Sequence, residues 1–185
     1  VVLDSGGGLY GAPPLGERSP GRKHGRDREA AGRKGNVSLH GTGENPGFMM
    51  ERLATTVSAL TNTVKRVKLQ ESVFVRVPAE TMTQYGFGIP PEEARNGPVN
   101  DIFKRWMFVE TATFACIALF GRKPDRVEHV PVYEPATEDV VGTTINIKKG
   151  MTHFVRHVFI AILDGVHVVT IEMLWYIREE DAPFR

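Results

Sequence analysis

Met151-Thr152-His153-Phe154-Val155-Arg156-His157-Val158-Phe159-Ile160-Ala161-Ile162-Leu163-Asp164-Gly165-Val166-His167-Val168-Val169-Thr170-Ile171-Glu172-Met173-Leu174-Trp175-Tyr176 is the stretch that decides the fold. Two β-branched and aromatic runs flank Asp-Gly, the signature of a two-residue type I′ hairpin. That turn sets Leu163 opposite Val166. Strict alternation then places Ile160 opposite Val169, Val158 opposite Ile171 and Phe154 opposite Trp175 on one strongly apolar side. The other side pairs Ala161 with Val168, Phe159 with Thr170, His157 with Glu172, Val155 with Leu174 and His153 with Tyr176. The apolar side is expected to pack on helices, and the mixed side to meet water, a partner subunit or a ligand.

Working back from the hairpin, further strands are expected at 126–133 and 143–148, with Lys148-Lys149-Gly150 as a turn. A long helix is expected from about Asp101 to Phe120, with Asn100 as N-cap, Gly121 just past its end and Pro124 beyond. It is apolar nearly all round (Ile102, Trp106, Val109, Cys116, with Phe108, Phe114 and Ile117), so it is buried on more than one side, in the chain's own core or at an interface. The excursion over 79–98, with Tyr85-Gly86-Phe87-Gly88 and Pro90-Pro91, has a length typical of functional or mobile loops. Thr63 to Val77 reads as a strand with a break near Gln70-Glu71. The fold class is α+β: a mostly antiparallel sheet with helices packed on one face.

The N-terminal part differs in character. Residues 1–35 are rich in Gly, Pro and Arg and too poor in apolar groups to offset ordering entropy, so a disordered basic tail is expected, leaving one domain over 36–185. Gly6, Gly8 and Gly11 spell G-x-G-x-x-G after Val1-Val2-Leu3, but Pro13-Pro14 follows where the dinucleotide fingerprint needs a helix. A short helix is expected near Glu29-Ala30-Ala31, leading into a strand at Val37-Ser38-Leu39-His40.

That strand opens the most suggestive local pattern, His40-Gly41-Thr42-Gly43-Glu44-Asn45-Pro46-Gly47-Phe48, followed by Met50-Glu51-Arg52-Leu53. A strand, a Gly/Thr turn and a helix start make a natural anion site, with Asn45 as N-cap and Pro46 at the first helical position. Thr42 and the amides near Gly43 and Gly47 would hold a carboxylate, with His40, Gly41 and Asn45 beside them; the plain alternative is a glycine-permissive turn with no ligand. The helix runs to about Thr61, with its stripe at 49/50, 53, 57 and 60.

With Tyr85-Gly86-Phe87-Gly88 and Pro90-Pro91-Glu92-Glu93 in order behind it, this string resembles the substrate domain of dihydrodipicolinate-reductase-like oxidoreductases, in the subgroup of 2,4-diaminopentanoate dehydrogenase. The resemblance spans roughly Glu29 to Tyr176. It implies hydride transfer at a C–N bond of a small amino or imino acid, NADP or NAD as cofactor, a homo-oligomer, and a Gly-Thr pair that holds the substrate carboxylate. Family members carry an N-terminal Rossmann domain, for which this chain has no room. No cofactor-binding residue is therefore assigned, and the isolated chain is expected to be inactive. The lysine-bearing string of true dihydrodipicolinate reductases is absent, so no lysine is assigned as proton donor.

For acid–base chemistry the candidates are His157 and Glu172, because a carboxylate opposite an imidazole raises its pKa and orients it. The plainer reading, a cross-strand charged pair that steadies the hairpin, is the favoured of the two. Zinc is rejected: four strand residues separate His153 from His157 by about 13 Å, and metal–nitrogen bonds of ~2 Å do not span that gap.

Totals bound the rest. The 185 residues carry 23 Lys+Arg against 22 Asp+Glu, a formal net charge of +1, which favours no nucleic-acid partner. No apolar run reaches the ~18 residues of a membrane span. One cysteine, Cys116, excludes an internal disulfide and suits a reducing cytoplasm. The alternative to the oxidoreductase reading is a non-catalytic α+β ligand-binding or dimerisation module.

Overall fold

The computed structural model describes residues 2–4, 27, 29–41, 45–97, 100 and 107–183. In chain order the elements are β1 (Val2–Asp4), α1 (29–34), β2 (Leu39–Gly41), α2 (Arg52–Ser58), β3 (Val67–Phe74), α3 (Ala79–Gln84) and α4 (Pro91–Arg95). There follow α5 (Met107–Phe120), β4 (Arg126–Pro135), β5 (Val140–Val141), β6 (Asn146–Ile147), β7 (Thr152–Leu163) and β8 (Val166–Tyr176). The fold is α+β. Its main sheet has four strands in the order β3-β8-β7-β4, antiparallel except for the parallel β3–β8 edge. No described helix is long and apolar enough to cross a membrane.

The hairpin forms where the Asp-Gly turn predicts. Asp164 and Gly165 both take positive φ, +50° and +77°, as a type I′ turn demands, and Leu163 faces Val166. Two rungs later the alternation breaks. Ile162 pairs with His167 but Ala161 pairs with Val169, so Val168 is an extra residue, a β-bulge. From there every pair differs from the expected register by one: His157 faces Met173, and Glu172 faces Val158. A one-residue shift moves a side chain to the opposite face of the sheet. The expected His157–Glu172 pair therefore does not form. The bulge has a packing cause, because it lets two consecutive valines, Val168 and Val169, both join the core cluster.

The shift decides which face is covered. Val155, Phe159 and Ala161 of β7, expected on the mixed side, lie with Val169, Ile171 and Met173 of β8 in the two core clusters. Phe108, Ala112, Ala115 and Cys116 of α5 close over one half of that face, with the Phe108 and Phe159 rings 5.5 Å apart. Gly121, at φ +74°, ends α5 as expected, its N–H donating to the Ile117 carbonyl over 2.9 Å. The excursion covers the other half, placing Met82, Phe87 and Ala94 against Tyr133 and Val155. Gly86 lies so close to the Tyr133 ring that a Cβ there would sit 2.7 Å from Cε1. The excursion is also tied to the sheet: Gly88 N–H donates to the Thr152 carbonyl, and Thr152 N–H to the Ile89 carbonyl, both over 2.9 Å.

The opposite face carries Phe74, Val130, Phe154, Val158, Ile160, Leu174 and Tyr176, and neither core cluster includes any of them. It is the more apolar for the register shift, since alternation had assigned the even β7 residues to the covered side.

Two further expectations change. Within the tail expected to be disordered, Val2–Asp4 pairs in parallel with Leu39–Gly41, and 29–34 is helical. A ladder partner stabilises the first, and a Glu29–Arg33 ion pair one helical turn apart (2.7 Å) supports the second. The short helix near Glu29 is thus present, and Asn36 at φ +48° follows its end. The Gly6, Gly8 and Gly11 string lies outside the described residues. The helix expected from Pro46 begins only at Arg52: residues 45–51 form turns, the Asn45–Pro46 peptide is cis, and Gly47 at φ +137° is far from helical geometry. Asn45 is therefore not an N-cap. Of the expected apolar stripe, Met50 is buried, whereas Leu53, Val57 and Leu60 are exposed, Leu60 by 88%.

Candidate functional site

The turn at 45–51 is held by one side chain. Glu51 is 2% exposed, and its carboxylate reaches back four residues to accept the Gly47 N–H at 3.1 Å. Its other oxygen accepts the hydroxyl of Thr111, 60 positions on in α5, at 3.3 Å. Thr111 is itself buried, so the carboxylate pins the turn to the helix that caps the sheet. Beside it, the Asn45 Oδ1 is buried and has no hydrogen-bond partner among the described residues. An acceptor in that state is the exception in a folded chain.

These facts revise the carboxylate site expected here. The Gly47 amide, counted as a donor for ligand, is occupied by the protein's own carboxylate. Of the expected binding residues, Asn45 and Gly47 sit together in the turn, and His40 and Gly41 are placed as backbone of β2. Thr42 and Gly43 lie outside the described residues. Tyr85 packs on Trp175 with ring centroids 5.2 Å apart, and Phe87 is fully buried; Trp106 lies outside the described residues.

His157 and Glu172 occupy opposite faces, each with partners the sequence did not announce. His157 Nδ1 lies 3.0 Å from His129 Nε2, a geometry that requires one nitrogen to donate and the other to accept. Around the pair, His129 stacks on Phe159 at 4.5 Å, and Tyr133 and Trp175 meet His157 edge-on. Burial, and then the neighbouring His129, push the His157 pKa down to about 3. The imidazole is thus neutral near neutrality, the reverse of the raised pKa that a facing carboxylate would have produced. His153 Nδ1 sits 3.0 Å from the Glu134 carbonyl oxygen on the other antiparallel rung, away from this pair.

Glu172, on the open face, is bracketed by Lys68 Nζ at 2.6 Å and by the Arg156 guanidinium. Burial alone would push its carboxyl up, but hydrogen bonds from Lys68 and Arg156 outweigh that and hold it below the ordinary range. A buried carboxylate between two cations organises a surface; it is poorly suited to accept a proton.

Sequence reasoning passed over Glu51, Thr111, His129, Lys68 and Arg156. Lys68 and Arg156 carry a weak parity signal, since both fall on the same face as Glu172 once the register is known. The Glu51–Thr111 and His129–His157 contacts join elements far apart in the chain and leave no local trace. A shallow groove of about 970 Å³ between α2 and β3 is lined by Ala54, Val57, Val64, Val67 and Leu69, with Lys65 and Arg66 beside them. Compared with known proteins, the chain matches no protein-family model and no curated sequence.

Proposed function

We propose that this chain is the substrate-binding and oligomerisation half of an NAD(P)H-dependent oxidoreductase that acts on the C–N bond of a small amino or imino acid. The observation that carries the reading is the parallel β1–β2 pair, with α1 before β2, running directly into the Asn45–Gly47 turn. Parallel strands belong to larger sheets covered on both faces, and a two-stranded sheet is marginal alone. A parallel α/β unit would complete it, as the resemblance to dihydrodipicolinate-reductase-like enzymes implies. The described residues do not themselves form a dinucleotide cradle, so the nicotinamide would be held by that completing unit. The buried free Cys116 suits a cytoplasmic setting.

The oligomerisation part rests on the open face. Four strands ~4.8 Å apart and about eight residues long span roughly 500 Å² of sheet per copy, the footprint of a small interface. Val130, 46% exposed, and the partly exposed Phe154, Ile160 and Tyr176 are apolar groups that this face offers, while Leu174 and Val158 beside Glu172 are already buried within the chain. Light scattering of the full chain should show an oligomer, and Val130→Glu should return a monomer; an unchanged mass in the variant removes this face from the interface.

The substrate part is tested by amide NMR of the full chain with small amino acids. Saturable shifts at Asn45 and Gly47 support it, and unchanged spectra at millimolar ligand overturn it. The Glu51 occupation of the Gly47 amide favours the second reading, a non-catalytic α+β ligand-binding or dimerisation module. In that case the oligomer persists while no amino acid moves the turn.

A further inference from the structure

The apolar residues of α2 are turned outward. Leu53 and Val57 of the helix and Leu60 just past its end recur at i, i+4 and i+7, and they stand 48%, 54% and 88% exposed. Single exposed leucines are ordinary, but a stripe of them beside an apolar groove is a contiguous patch of the kind that marks an interaction site. The groove of about 970 Å³ adjoins the stripe through Val57, and its apolar part is Ala54, Val57, Val64, Val67, Leu69 and Val166. Val67 and Leu69 pair with Val169 and Ile171, which belong to the core that α5 covers. The groove is therefore an uncovered corner of the same sheet face. Of its polar members, the Ser58 and Thr61 hydroxyls donate to the backbone carbonyls of Thr55 and Thr63. Its charged members are Lys65 and Arg66, both exposed, where the chain enters β3. Neither forms an ion pair among the described residues, and no carboxylate lines the groove.

We propose that this groove seats an amphipathic α-helix of another polypeptide. The helix lays its apolar face along α2 and β3 and carries carboxylates where it passes Lys65 and Arg66. Two turns of helix, ~11 Å long and ~10 Å across, fill about 850 Å³, close to the volume of the groove. A small amphiphile is enclosed by its site, whereas this groove is shallow and the apolar stripe runs past it to Leu53 and Leu60. That breadth is what a helix-in-groove contact covers. A second copy setting this same patch against it would add two more cations and no carboxylate, so the charge favours an acidic partner over self-association. The seat involves neither the Asn45–Gly47 turn nor the open face of the sheet.

The test uses the full chain and two labelled synthetic helices of ~18 residues, each with leucines at i, i+4 and i+7 in an alanine background. One carries glutamates along the flanks of that stripe, and the other carries lysines. Anisotropy titrations are expected to show saturable binding of the glutamate helix and about tenfold weaker binding of the lysine helix, the scale of two exposed ion pairs exchanged for two repulsions. Lys65→Glu with Arg66→Glu should reverse that preference, which loss of folding cannot do. Val57→Asp, at a position already half exposed, should weaken the glutamate helix about tenfold, because the contact must then desolvate a charge; thermal melts establish that it folds. Equal affinity for the two helices, no binding of either at millimolar peptide, or binding that ignores all three substitutions overturns the proposal. Two further readouts, in the absence of helix binding, overturn it in favour of another occupant. A mass in light scattering that falls with Val57→Asp assigns the groove to a second copy. Co-sedimentation with phosphatidylserine vesicles that Val57→Asp abolishes assigns it to a membrane surface.

Discussion

Acidification should unfold this protein largely through one imidazole. His157 is 1% exposed, and its pKa is depressed from the ordinary 6.5 to about 3 by burial and by His129. The folded chain therefore declines the proton that the unfolded chain accepts. The unfolded state binds more protons between about 6.5 and about 3, so stability is complete above the upper limit and falls as pH drops toward the lower one. At about 1.4 kcal/mol per pH unit the gap caps the effect at about 5 kcal/mol, of which about 3 kcal/mol is gone by about pH 4. The perturbation is His157→Phe, which keeps ring contacts with Tyr133 and Trp175 and removes the titration. The lost contact with His129 should cost roughly 1–2 kcal/mol near pH 7. Urea unfolding followed by tryptophan fluorescence gives both stabilities across the range, and Trp175, 5.6 Å from His157, reports the site. Other groups on or near that face, Glu71 and Tyr133 among them, are common to both proteins and cancel in the difference; Tyr133, pushed up to about 12 by burial, stays neutral throughout. The wild-type advantage should shrink by about 3 kcal/mol from about pH 7 to about pH 4. Parallel pH profiles for the two proteins would refute the argument, because they would mean that the pair is charged, or accessible, in the folded state.

Gly86→Ala forces a Cβ to within 2.7 Å of the Tyr133 ring at φ +98°, and urea melts should show a loss of about 2–4 kcal/mol; a loss near zero would mean that the excursion is not packed there. Phe159→Ala empties the point where α5 and His129 meet the sheet, at 0% exposure, and is expected to cost roughly 3–5 kcal/mol in the same assay. Glu172→Gln leaves Lys68 and Arg156 without their shared counter-ion. Chemical denaturation should find it less stable by about 1–3 kcal/mol, with the deficit shrinking at low pH as the parent carboxylate is itself protonated.

Local rules carried the reading a long way. Asp164-Gly165 located the hairpin, Gly121 the end of α5, Glu29-Ala30-Ala31 the short N-terminal helix, and the apolar runs the α+β class. What failed was parity. Val168 and Val169 are chemically alike, and nothing in the chain near them says that both should face the core; only the fit of α5 onto Phe159 and Ala161 decides it. That single extra residue moved His157 and Glu172 to opposite faces and dissolved the best catalytic pair that alternation could offer. The turn at 45–51 misled for a related reason. Asn-Pro spells a helix start, yet a carboxylate six positions past Asn45, anchored in α5, holds the backbone in another shape. The capping rules look along the chain, whereas Thr111 acts across it.

The pairing of Gly88 and Ile89 with Thr152 decides whether the excursion can move. A gate swings on two ends with a free span between them, and the span over 79–97 is fastened near its middle to the first rung of β7. Opening it would strip hydrogen bonds from a core strand and lift Met82 and Phe87 into water at once. The excursion is therefore a fixed layer of the core over β4 and β7, and not a flap over it.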